Sequence, residues 1–141
     1  MRLLLASLAA ALVGVGAGAS PARAAATSCP GLQTQLRHSD VVAFVTVTDV
    51  ALPSDPSEDV FYRVSVDQGL RGDLSAVATV RSAIGAPGYG RPRLTTGESY
   101  LLLATQSPTG PVTIGACSGT RRATPSLVLA VTGSVVLTAL R

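Results

Sequence analysis

The pattern of apolar and polar residues predicts a chain built mainly from short β-strands. Five segments are rich in β-branched residues or alternate between apolar and polar side chains, as half-buried strands do. The fourth segment is almost continuously apolar, which is typical of a strand buried on both faces. The five strands are predicted at residues 40–50, 60–66, 77–82, 98–105 and 111–116.

Segments rich in proline, glycine and acidic residues separate these strands. Loops are predicted at 53–59, 84–93 and 107–110, and residues 67–74 are predicted to turn because they contain two glycines. The first two strands are expected to pair as a long hairpin. Five strands at intervals of about ten residues, with turns between them, predict a small β-barrel.

A helix is predicted on each side of the strands. Leu32 and Leu36 lie four residues apart in a polar stretch, which favours a short helix with one apolar edge. In the C-terminal apolar segment, residues 123–141, Thr124 is suited to cap a helix and Pro125 to be its first residue. This second helix is predicted to continue to residue 140.

The N-terminus predicts a secretory signal peptide over residues 1–26. Arg2 supplies the positive charge, residues 3–15 form an apolar run, and small residues follow. Cleavage after Ala26 would make Thr27 the first mature residue, and cleavage after Ala24 is the alternative. The protein is therefore expected to be secreted, in an oxidising compartment.

Composition predicts one small domain, residues 27–122, and disfavours nucleic acid as a partner. The chain has 141 residues and a formal charge of +3, but two of its arginines lie in the predicted signal peptide. The mature chain then has nine arginines against eight acids, or about +1. Arg91 and Arg93 beside Tyr89 could form a basic groove, but only 4% of the residues are aromatic.

The only two cysteines, Cys29 and Cys117, are expected to form a disulfide because an even number of cysteines in an exported protein favours pairing. Residues 115–119 also match the G-x-C-x-G pattern of a nucleophile elbow. A cysteine nucleophile needs a base, and the only histidine is His38, near the N-terminus. The sequence thus favours a structural disulfide over an enzyme.

Neither a cofactor nor an intrinsic metal site is predicted. One histidine falls short of the four or so ligands of a zinc site. Asp55, Glu58 and Asp59 cluster in one loop, but their spacing is not that of a calcium loop, and a solvated acidic loop is the simpler interpretation.

Several short motifs occur in an order that resembles a known family. They are DVV at 40–42, YRVSVD at 62–67, LRGD at 70–73, GESYLLLA at 97–104 and CSGT at 117–120. This set resembles the netrin-like modules related to tissue inhibitors of metalloproteinases, in their small exported actinobacterial form. The resemblance implies a five-stranded OB-type barrel with flanking helices.

The resemblance also implies a disulfide pattern. Family members usually begin with Cys-x-Cys: the first cysteine pairs with one in the loop after the third strand, and the second pairs with the cysteine of the CSGT-type motif. Here Thr27 stands in the first position, and Ala83 or Ile84 stands where its partner is expected. One bridge is absent at both ends, while Cys29 and Cys117 keep both ends of the other.

The function implied is an exported, non-enzymatic protein-binding module. In the animal inhibitors the amine and carbonyl of the first residue bind the protease zinc, so Thr27 could support weak metalloprotease inhibition. The alternative is a cell-surface structural protein anchored in the membrane by the C-terminal apolar segment. Candidate contacts with a metalloprotease or another extracellular protein are Thr27, Ser28, Cys29, Pro30, Ile84, Gly85, Ser118, Gly119 and Thr120.

Overall fold

A computed structural model describes residues 28–84 and 90–139, with side chains described through residue 134. The predicted signal peptide lies outside these ranges. The elements in chain order are α1 Leu32–His38, β1 Val41–Ala51, β2 Val60–Arg71, β3 Val77–Ser82, β4 Ser99–Gln106, β5 Val112–Ile114, β6 Arg121–Arg122 and α2 Pro125–Ala139.

Five of the strands close into a barrel. β1, β2 and β3 are successive antiparallel neighbours, and β4 returns to pair with the other edge of β1. β5 lies parallel to β3 and antiparallel to β4, and so closes the ring. The predicted mainly β barrel of five strands followed by a C-terminal helix is confirmed, and α1 lies where a short helix is expected.

The predicted turn at 67–74 is wrong for residues 67–71, because β2 continues to Arg71 and the chain turns only after it. The sequence of this stretch is polar, but pairing of Gly69 with Ala43 and of Arg71 with Val42 keeps it extended. β1 contains three register shifts against β2. Such bulges bend a strand, which lets β1 follow the curve of a closed barrel.

The extension of β2 also holds α1 in place. The guanidinium of Arg71 donates hydrogen bonds to the backbone carbonyls of Leu36 and Ser39, at the C-terminal end of α1. A cation at this end satisfies carbonyls that have no partner within the helix. Gly72 follows with a φ of 77° and turns the chain.

The apolar residues form two layers rather than one core. Inside the barrel lies a large buried cluster to which every one of the five strands contributes; it includes Val41, Val45, Val64, Val80, Leu102 and Ile114. A second cluster lies outside, where α1 and α2 cover the barrel; its buried members are Leu36, Val42, Phe44, Leu101, Leu103 and Val131.

The predicted core residues divide between these layers. The prediction comprised Val42, Phe44, Val64, Val66, Val80, Leu101 and Leu103. Six are buried, and Val66 is half-buried against the inner cluster. Because successive side chains of a strand point to opposite faces, β4 supplies both layers, as its continuous apolar run predicts.

α2 begins as the sequence predicts. The hydroxyl of Thr124 accepts a hydrogen bond from the backbone N–H of Leu127 at 3.3 Å, and Pro125 is the first helical residue. Val131 is 1% exposed in the outer cluster, whereas Leu129 is 75% exposed. Among the helices within the described ranges, none combines the length and apolar character needed to cross a membrane.

Candidate functional site at the disulfide-tied end

A disulfide joins the segment before α1, residues 28–31, to the turn after β5, residues 115–120. These two segments together form the tied end of the barrel. The Cα atoms of Cys29 and Cys117 lie 5.1 Å apart, although the two residues are 88 positions apart in sequence. The predicted pairing is confirmed. The sulfur of Cys117 is bonded, so this residue offers no thiol for the nucleophile hypothesis.

The turn beyond Cys117 is held against the edge of β4 by one side chain. The hydroxyl of Thr120 accepts a hydrogen bond from the backbone N–H of Leu103 and donates one to the Leu103 carbonyl, both at 3.0 Å. A threonine side chain here performs the pairing that a neighbouring strand would otherwise provide. The turn is therefore fixed to the barrel independently of the disulfide.

Gln35 of α1 connects the helix to the same turn. Its side chain is 7% exposed; Nε2 donates to the Cys117 carbonyl, and Oε1 accepts from Nη2 of Arg121, both at 3.0 Å. Nε of Arg121 also donates to the Gly119 carbonyl at 2.9 Å. Both ends of this buried amide are thus satisfied, as a buried polar group requires.

A small cleft of about 260 Å³ lies beside the disulfide. Its walls come from α1, the end of β4 and the turn. The lining residues are Pro30, Thr34, Gln35, His38, Ser39, Leu103, Ala104, Thr105, Cys117 and Ser118. No group of three or more metal-binding side chains occurs in the part of the chain that the structure describes.

The sequence-predicted contact residues at this end differ in what they can offer a partner. Ser28, Cys29 and Pro30 are exposed. Ser118, Gly119 and Thr120 are half-buried, and the hydroxyl of Thr120 is occupied by Leu103. Thr27 and Gly85 lie outside the described residues. The free surface of this end is therefore mainly residues 28–30.

Ile84 contacts the β1–β2 loop rather than the tied end. Its backbone N–H donates to Oδ1 of Asp59 at 3.2 Å, and the neighbouring Ala83 N–H donates to the Ile114 carbonyl. Nη2 of Arg91 donates to the Pro56 carbonyl. Ile84 and Arg91, which follow β3, therefore contact the β1–β2 loop. They belong to a second surface, separate from the tied end.

The acidic loop between β1 and β2 uses its carboxylates locally. Oδ1 of Asp55 accepts hydrogen bonds from the backbone N–H and then the hydroxyl of Ser57, which lower the pKa of the Asp55 carboxyl below its usual range. Asp59 forms an ion pair with Arg81 at 3.6 Å. Glu58 is exposed, as expected for a solvated loop.

Gln35 and Thr120 are site residues whose roles the sequence does not reveal. Gln35 lies in a polar stretch, and its partners are 82 and 86 residues away. Thr120 belongs to the CSGT motif, but nothing local indicates that its hydroxyl replaces a strand. Only the closed barrel brings these groups together.

Substituting Gly119 tests how tightly the turn packs on Gln35. Gly119 and Gly97 have similar φ values, 88° and 86°, but a Cβ at Gly119 would meet the Gln35 amide and lie 2.9 Å from Leu103 Cδ1, whereas Gly97 faces open space. Gly97→Ala should cost about 1–2 kcal/mol for the left-handed backbone alone. Gly119→Ala should cost about 1–3 kcal/mol more, measured by urea denaturation; equal costs would contradict the packing.

Comparison with known proteins identified no family: no family model matches the chain, and no curated protein is significantly similar to it. The netrin-like resemblance accordingly stays a prediction made from short motifs.

Proposed function

We propose that this protein is an exported, non-enzymatic protein-binding module of the netrin-like type. The observation that carries the proposal is the way residues 28–30 are presented: they are exposed, yet Cys29 bonds them to a turn that Gln35 and Thr120 hold against the barrel. An exposed segment fixed in one conformation loses little entropy on binding, which favours recognition of a partner.

The topology supports an OB-type identity for the barrel. Three successive antiparallel strands followed by a fourth that returns beside the first constitute a Greek key. A five-stranded Greek-key barrel is the architecture of OB-folds. Helices before and after the barrel fit the netrin-like pattern in the same way.

The proposed partner is a metalloprotease or another extracellular protein. Thr27 precedes the exposed Ser28, so a mature chain starting at Thr27 would bring its amine out at the tied end. An amine and a carbonyl can bind a partner's zinc only at about 2.0–2.2 Å and in a defined geometry. Without the family's first disulfide, holding that geometry costs ordering entropy, and inhibition is expected to be weak.

Zinc binding by the amine of Thr27 can be tested directly. The mature protein should inhibit a zinc endopeptidase weakly, and one extra residue before Thr27 or acetylation of its amine should abolish the inhibition. Peptide-substrate assays measure the effect, and N-terminal sequencing fixes the start. Inhibition that survives acetylation, or a natural start at another residue, would rule out zinc binding by this amine.

The broader binding role is tested by capture from culture medium with the mature domain as bait. Ser28→Arg places a bulky charge on the tied end and should abolish capture of a specific partner. Thr79→Arg is the matched control, because Thr79 is exposed on β3 and its side chain makes no described hydrogen bond. Loss of capture with both variants, or with neither, would contradict the tied end as the binding surface.

A second candidate function is a structural protein held at the cell surface by α2. The observation in its favour is that α2 carries no charged residue and leaves Leu129 exposed in water. Fractionation separates the two functions: the binding module should be found in the medium, and an anchored protein should be found with the membranes.

A further inference from the structure

A second cleft, of about 550 Å³, lies away from the disulfide, between the β1–β2 loop and the segment that leads into β4. Its volume falls within the range of about 300–1,000 Å³ that is usual for ligand sites. The residues that line it are Val50, Leu52, Pro53, Pro56, Val60, Tyr62, Arg91, Arg93, Leu94, Thr95 and Thr96.

The floor of this cleft is apolar and preformed. Tyr62 is 3% exposed, and its hydroxyl accepts a hydrogen bond from the backbone N–H of Leu94 at 3.2 Å. The hydroxyl of Tyr100 accepts one from Thr95 N–H at 3.0 Å. Two tyrosines of the barrel thus fix the backbone of one wall, so little rearrangement is needed before a ligand enters.

The rim carries two positive charges that have no acidic partner among the described residues. The guanidinium of Arg91 donates to the carbonyls of Pro56 and Glu58, which are neutral acceptors. Arg93 is exposed, and within the described ranges it makes no hydrogen bond or ion pair. The lining residues include no acid.

The nearby acidic side chains are directed elsewhere. Asp59 is paired with Arg81, and Asp55 binds Ser57. Glu58 and Asp59 line the neighbouring groove rather than this cleft. An apolar floor bordered by uncompensated arginines is complementary to a ligand that has an apolar body and an anionic group.

We propose that this cleft binds an extended acidic segment of a partner protein. An apolar side chain of that segment enters between Leu52 and Leu94, and a carboxylate two residues along, on the same face of the extended segment, pairs with Arg93. The choice of a peptide over a free anionic lipid rests on the proposed function as a protein-binding module. The cleft itself shares no lining residue with the one beside the disulfide.

The probe is a fluorescein-labelled eight-residue peptide of sequence LSESLSES, which places leucine and glutamate on the same face of an extended chain, and its binding is followed by fluorescence polarisation. Arg93→Gln should weaken its binding about tenfold or more, because a charge-assisted hydrogen bond is lost. Binding should also weaken as salt rises from about 0.05 to about 0.5 M. A peptide with glutamine in place of glutamate should not bind.

Matched control variants test whether the peptide binds in this cleft or elsewhere on the surface. Arg63→Gln removes an exposed arginine outside the cleft and should leave the Kd unchanged. Leu52 and Leu129 are 74% and 75% exposed, so Leu52→Ser should weaken binding while Leu129→Ser should not. Equal effects within either pair, or equal binding of the glutamine peptide, would overturn the proposal.

Two further experiments distinguish peptide binding in this cleft from lipid binding and from binding at the tied end. Sodium dodecanoate that binds while the peptide does not would identify a lipid site and overturn the proposal. Ser28→Arg should leave peptide binding unchanged, because it alters only the tied end. Peptide binding that persists when tied-end capture fails would refute the function proposed for the tied end and leave the cleft supported, and the reverse result would refute the cleft alone.

Discussion

Replacing Cys29 and Cys117 with serine should lower the free energy of unfolding by about 2–5 kcal/mol. The bridge links residues 88 positions apart, and a disulfide that closes a longer loop restricts the unfolded chain more. The loop it closes spans all five barrel strands. The change is measured by urea denaturation of the double variant beside the oxidised protein.

Reduced wild-type protein is the natural control for this experiment. It lacks the bridge but keeps both side chains, so its stability should fall to that of the double serine variant. Equal stability of the oxidised and reduced proteins would contradict the expectation. Because Thr120 and Gln35 hold the turn without the sulfur atoms, the barrel of the variant should still form, while residues 28–30 lose their fixed position.

The parts of this fold that the sequence predicts are those with strong local signals. β3 occupies residues 77–82 as predicted, because a β-branched run is bounded there by turn residues. The start of α2 follows from Thr124 and Pro125, two neighbouring residues whose roles at a helix N-terminus are largely independent of the remainder of the chain.

The missed elements depend on partners that are distant in sequence. Residues 67–71 have weak strand propensity and a glycine, yet they are extended because β1 pairs with them. β6 is only Arg121–Arg122, and it exists because Tyr100 and Leu101 offer a free edge. These pairings join residues that are far apart in sequence, so no short segment of the chain indicates them.

The candidate site shows the same division. The pairing of Cys29 with Cys117 could be predicted, since composition left no other intramolecular partner. The sequence grouped Ile84 with the tied end by resemblance, whereas the contacts of Ile84 in the structure lead to Asp59 and the β1–β2 loop. The second cleft was not predicted, because its lining comes from two stretches, residues 50–62 and 91–96, that only the folded chain brings together.

Leu101→Ala and Leu102→Ala should each lower the free energy of unfolding by about 2–5 kcal/mol, although the two side chains lie in different layers. Both are fully buried: Leu101 belongs to the outer cluster beneath the helices, and Leu102 to the barrel interior. Each truncation removes three carbons from a packed environment and leaves a cavity. Thermal and urea denaturation measure both losses.

Substituting Val131 of α2 tests whether this helix packs on the outer cluster and not on the barrel interior. Val131→Ala should couple with Leu101→Ala, because both residues belong to the outer cluster, and it should add to Leu102→Ala within about 0.3–0.5 kcal/mol. Leu129→Ala is the exposed control on the same helix and should change stability by less than about 0.5 kcal/mol. Additivity of Val131 with both leucines would mean that α2 does not pack on β4, and the exposed face of the barrel would then have to be stabilised in another way.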